Sequence, residues 1–133
     1  MTHLVVHAAT AIPFLLTGNY SGALGCLIPD LLWIPNELRF RLRRDRSSTW
    51  YSWSKSLTSA ELRFYRVAHS LLFLALCAGV YYLVFSCSSW FFLGWLIHIL
   101  LDLPTHWGVM QPLPFYPFNW RWPYVFSYIK SRK

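Results

Sequence analysis

The sequence predicts an all-α protein: a small membrane-embedded bundle of about four to five helices, with short or re-entrant helices at the N-terminus. Three observations carry this. The chain of 133 residues is one domain's worth and is 56% hydrophobic and 20% aromatic. Only 13% of it is charged, against about 25% in a soluble domain, so much of its surface is not built for water. Ser70 to Ile97 holds neither a charged residue nor a histidine across 28 positions. The net charge of +7 comes mostly from arginine and points to an anionic partner, either a membrane surface or a nucleic acid.

The first apolar segment runs from Leu4 to Leu16. The residues before it carry no positive n-region, since the first Lys or Arg is Arg39, so the segment reads as part of the mature fold. Gly18, Asn19, Ser21 and Gly22 make a turn. Ala23 to Ile34 is the second segment, interrupted by Pro29–Asp30 and closed by Pro35–Asn36. Each is shorter than the roughly 20 residues that cross a bilayer core. Residues 36–57 form a basic, aromatic loop: "RFRLRRDR" (39–46) carries five arginines, and Trp50, Tyr51 and Trp53 follow, a composition suited to a membrane–water boundary.

Thr58-Ser-Ala-Glu61 is a capping box and starts a helix. The pattern continues it to Phe85, amphipathic at first and then apolar all round. "SCSS" (86–89) separates it from a fourth segment, Trp90 to about Leu103, where Pro104 intervenes. Residues 108–133 are a Pro- and aromatic-rich tail, read as extended along an interface and ending in basic residues. Cys26, Cys77 and Cys87 lie in apolar segments without metal or disulfide spacing and read as small buried hydrophobes.

Five titratable residues sit inside or at the edge of apolar segments: His7, Asp30, His69, His98 and Asp102. An unpaired ionised group there is costly, so each must be paired, neutralised or bound. If the four segments run alternately up and down, all five reach the same end of the bundle. That end holds the arginine loop and the basic C-terminus, which marks it as cytoplasmic by the positive-inside bias of a bacterial-type inner membrane. Three imidazoles and two carboxylates suit Zn²⁺ first, with Mn²⁺ or Fe²⁺ as alternatives. His98 and Asp102, at i and i+4, share a helix face and can serve one metal or bridge two. Taken singly, each residue reads better as a satisfied core group, with an intrahelical hydrogen bond or a histidine donating to a carbonyl; the convergence of all five favours a metal site. His3, at a terminus, and His106, beyond Pro104, stand behind the five.

"HAATAIPF", "GALGCLIPD", "RVAHSLL" and "HILLDLPTHWG" together resemble the membrane-bound metal-dependent hydrolase family. This family includes a bacterial inner-membrane protein under SOS-repressor control and is distantly similar to zinc-dependent phospholipase C and the S1/P1 nucleases. The resemblance spans residues 7 to 108. It implies a helical fold with metal ligands at His7 (His3 being a rival for that place), Asp30, His69, His98 and Asp102. It also implies Asp30 as general base. Arg66, one turn before His69, could contact a phosphate or face headgroups. Two positions depart from the family: Leu32 and Tyr65 stand where many members carry an aspartate and a histidine, so one or two metal ions are expected rather than a fuller cluster.

These readings give three functional expectations. The first is a membrane hydrolase of a phosphoester, most plausibly lipid-derived, using metal-activated water, with membrane lipids as neighbours. The second is a non-catalytic membrane protein held by a structural metal or a His–Asp network. The third is a metal-dependent phosphodiesterase acting on nucleic acid through the arginine loop.

Overall fold

The computed structural model describes residues 2–43, 57–86, 89–106 and 110–121. Its elements are five helices: α1 (Thr2–Leu16), α2 (Tyr20–Arg43), α3 (Ser59–Ala68), α4 (Leu71–Phe85) and α5 (Trp90–Thr105), and no strand occurs among the described residues. The all-α expectation holds.

α1 ends in a paired-bond cap. Gly18, at φ 71°, donates to the Leu15 carbonyl (3.0 Å), and Asn19 donates to that of Phe14 (2.7 Å). The Asn19 carboxamide oxygen then accepts from the Gly22 amide (3.2 Å) and opens α2. The two helices fold back on one another: Phe14 lies against Gly22, and the Cys26 thiol points at the Thr10 carbonyl.

α2 departs from expectation. It runs through Pro29 and Pro35 and continues to Arg43, so the first part of the arginine run is helical. Proline removes one donor and crowds the carbonyl four residues earlier, which loosens a turn without ending a helix that is held by packing. Residues 44–56, the rest of the expected loop, lie outside the described residues.

α2 packs most closely on α5. A Cβ on Gly25 would collide with the Phe91 carbonyl, and one on Gly94 with the Gly22 carbonyl, so the two backbones touch. Glycine permits this approach, as it does between helices in membranes. Gly22 meets Gly94, and the Cys26 carbonyl meets His98. The shared increment of four shows that α2 and α5 run parallel, as alternating segments require. α4 runs antiparallel to α5, with Phe73 against Trp95 and Tyr81 against Phe92.

The capping box is present: the Glu61 amide donates to Thr58 Oγ1 (3.2 Å), and the Thr58 amide to Glu61 Oε2 (2.8 Å). The single long helix expected from Thr58 to Phe85 is not. It breaks at His69–Ser70 with a bend of 56°. Ser70 Oγ accepts from the Phe73 amide, which starts α4 (3.4 Å). The tail supplies the other acceptor, because the Leu71 amide donates to the Pro114 carbonyl (2.7 Å). Trp95 Nε1 donates to the Ala68 carbonyl at the end of α3 (2.9 Å). Met110 to Pro114 are accordingly buried in the bundle, not extended along its edge; residues 122–133 of the tail are not among those described.

α5 carries Pro104 within it and ends at Thr105, two residues later than expected. Ile99 is fully buried, which contributes about 1.5–3 kcal/mol. Cys26 is buried and Cys77 partly so, both as free thiols; Cys87 lies outside the described residues. In α4, by contrast, only Leu74 is buried, and Leu76, Val80, Leu83, Val84 and Phe85 are exposed. No single helix among those described is long and apolar enough to cross a membrane; the bent pair α3–α4 is so only when taken together.

Candidate metal centre

Three elements meet around one acidic side chain. α5 contributes His98 and Asp102, the α3–α4 break contributes His69, and α2 contributes Asp30. Asp102 Oδ2 is 3.2 Å from His69 Nε2 and 3.2 Å from His98 Nε2. The two Nε2 atoms are 3.4 Å apart. Asp30 Oδ1 stands 3.9 Å from His98 Nε2. His69, His98 and Asp102 are each at most 1% exposed, while Asp30 is 24% exposed and forms the accessible side of the group.

The outer nitrogens fix the chemistry of the inner ones. His98 Nδ1 is 2.7 Å from the Cys26 carbonyl, and His69 Nδ1 is 2.8 Å from the Tyr65 carbonyl. A carbonyl only accepts, so each Nδ1 carries the hydrogen. In the neutral ring the Nε2 then presents a lone pair to the centre. Two lone pairs and a carboxylate oxygen so close repel one another unless a cation lies among them. That cation is either a proton on the imidazoles or a metal ion.

The spacing fits a metal. A tetrahedral shell with arms of about 2.0–2.1 Å has ligand-to-ligand edges of about 3.3 Å, and the triangle of two Nε2 atoms and Asp102 Oδ2 has edges of 3.2, 3.2 and 3.4 Å. Backbone donation from the far nitrogen is also the usual way a protein orients a metal-binding histidine. Asp30, His69 and His98 each offer one ligand atom, all within 4.8 Å of one another, and could hold a metal ion.

His106 joins the group more closely than its place beyond Pro104 suggested. Its Nδ1 lies 3.2 Å from Asp102 Oδ1. Pro104 sits in the last turn and gives up the bond its N–H would make to the Leu100 carbonyl, yet the His106 amide still donates to the Asp102 carbonyl (3.0 Å). The i+4 phase therefore survives the proline. Burial pulls the His106 pKa down, but the Asp102 carboxylate, with Asp30 behind it, outweighs this and holds it above its ordinary value.

The remaining expected residues are placed less fully. His3 and His7 belong to α1, and their side chains lie outside the described residues. The antiparallel register of α1 on α2, continued one turn from Thr10 opposite Cys26, sets position 7 level with Pro29–Asp30. Arg66 is partly buried one turn before His69, and its Nε has no hydrogen-bond partner. Leu32 is exposed, on a face of α2 away from the group. Sequence reasoning missed Tyr65 as a part of the site. Its ring stacks on His69 (centroids 4.1 Å apart, planes at 27°) and meets Trp33 edge-on at 5.5 Å. Its sequence signal was its place one turn before His69, where many members of the resembled family carry a histidine.

No known protein family, curated protein or solved structure matches the chain.

Proposed function

We propose that this chain is a membrane-bound, metal-dependent hydrolase of a lipid-derived phosphoester, of the bacterial inner-membrane type. The observation that carries the reading is the triangle of His69 Nε2, His98 Nε2 and Asp102 Oδ2, with both histidines locked from behind by carbonyls. Zn²⁺ fits nitrogen and carboxylate donors at these spacings first, with Mn²⁺ or Fe²⁺ as alternatives. His69, His98 and Asp102 would hold the first ion, with Asp30 on the open side. A second would need His106, and His7 or His3. When bound, such an ion supplies Lewis acidity, bringing the pKa of a water to about 7 and offsetting charge that develops on a phosphoryl group.

The chain's own groups do the rest. Asp30 directs one oxygen at His98, and its other oxygen is buried without a hydrogen-bond partner. That oxygen is the base that orients the attacking water and takes its proton. Arg66 supplies a cation for a phosphate oxygen. The apolar surface of α4, exposed almost all round, inserts into lipid, with α3 and the acidic group at the interface on the cytoplasmic side. An anionic amphiphile would approach along that boundary.

A second reading is favoured by the near-complete burial of His69, His98 and Asp102: the ion, or a proton shared among them, fixes the helices and no reaction follows. Elemental analysis of the detergent-purified protein separates bound metal from a proton network. Turnover of phosphodiester lipids against oligonucleotides then separates a lipid hydrolase from a nucleic-acid phosphodiesterase. Bound metal without turnover of any ester leaves the structural reading standing.

A further inference from the structure

Tyr65 is buried to 3% exposure, and its hydroxyl has no hydrogen-bond partner. Its ring lies flat against His69, whose Nε2 is one corner of the donor triangle. The hydroxyl lies within the field of both Asp102 and Asp30. Leaving a phenol unbonded in a packed core is unfavourable, and the fold could have avoided it with phenylalanine, which stacks as well. The imidazole nitrogens of His69, His98 and His106 that face Asp102 suit a cation. Among the described residues, two hydroxyls lie near the centre: that of Thr105 is held by the Leu101 carbonyl (2.9 Å), and that of Tyr65 is left to serve a ligand.

We propose that the Tyr65 hydroxyl is the site's hydrogen-bond donor to an anionic oxygen of the bound ligand, and that it makes the centre selective for phosphoryl groups. The inference rests on the hydrolase reading for the nature of the ligand. A phenol is neutral at ordinary pH, so the group keeps its proton and donates it only as a hydrogen bond. A donor of this kind strengthens binding wherever negative charge sits or grows on the ligand. Asp30 and Tyr65 then divide the work, one accepting from the water and the other donating to the phosphoryl oxygen.

The test uses the full-length, metal-loaded protein in detergent, with inorganic phosphate as the probe. Tyr65→Phe keeps the ring against His69 and removes only the hydroxyl. The proposal expects unchanged metal content and thermal midpoint. It also expects phosphate affinity about ten- to a hundredfold weaker, the scale of one hydrogen bond to a charged group. Tyr82→Phe, at an exposed position of α4, should bind phosphate like the wild type. Equal phosphate affinity in Tyr65→Phe and wild type overturns the assignment, as does loss of metal in Tyr65→Phe, which would make the hydroxyl a ligand or a structural group. Hydrolysis is scored separately. Weaker phosphate binding in Tyr65→Phe, in a wild type that turns over no ester, supports the Tyr65 assignment while the hydrolase reading fails.

Discussion

The two ends of the α2–α5 seam are built on the same four-residue step and do opposite things. At one end Gly22 and Gly94 bring the backbones into contact, with no side chain between them. Four residues on, the Cys26 carbonyl takes the His98 Nδ1–H. Four further, Asp30 and Asp102 both approach His98 Nε2. The glycine end has no room for anything; the acidic end holds donors at the spacing of a coordination shell. The close end sets the angle and register from which the open end follows. The seam thus works as a clamp, and a change at the glycines should be felt at the carboxylates.

The largest expected effect is at the open end. Asp102→Ala leaves His69, His98 and His106 without their common carboxylate. It should abolish metal retention and destabilise the fold by about 3–5 kcal/mol, the range for stranding a buried charged network. Thermal unfolding in detergent, with elemental analysis, measures both. At the close end, Gly94→Ala forces a methyl into the Gly22 carbonyl and should cost about 1–3 kcal/mol. If the clamp account is right, Gly94→Ala also weakens metal retention although it touches no ligand; unchanged retention would show the two ends to be independent.

Acid should separate metal from proton. His106 has a raised pKa in the metal-free protein. Its stabilising contribution is therefore full below its unfolded value of about 6.5 and is lost as pH rises through the higher folded value. Metal binding runs the other way, since ligands must lose protons to coordinate, and it fades on acidification. Unfolding curves from pH 5 to 8 should thus slope in opposite directions with and without metal, and His106→Gln should flatten the metal-free slope. The smallest effect lies outside the seam. Thr58→Ala removes an exposed capping box and should cost about 1 kcal/mol without altering metal content.

Much of this was legible because it is local. The capping box at Thr58–Glu61, the Asn19 turn and the His98–Asp102 pair each depend on residues within four positions. The up-and-down reading carried Asp30 and His69 to the same end by counting turns. The rest depends on contacts that spacing does not encode. α2 survives Pro29 and Pro35 because its packing on α5 outweighs the lost donors. The break at His69–Ser70 is held partly by the Pro114 carbonyl, 43 residues beyond Leu71 in sequence. That break turns His69 from a residue on a long helix wall into the cap that points at Asp102. Tyr65 read as a missing histidine; only the stacking on His69 shows it as part of the centre.

In the proposed reading, the triangle of His69, His98 and Asp102 holds a divalent ion rather than a shared proton. The most direct test is the metal content of the detergent-purified wild type beside that of Asp102→Ala. The account predicts one or two ions per chain in the wild type and none retained in the variant. A wild type without metal, together with an Asp102→Ala variant of unchanged stability, would contradict it.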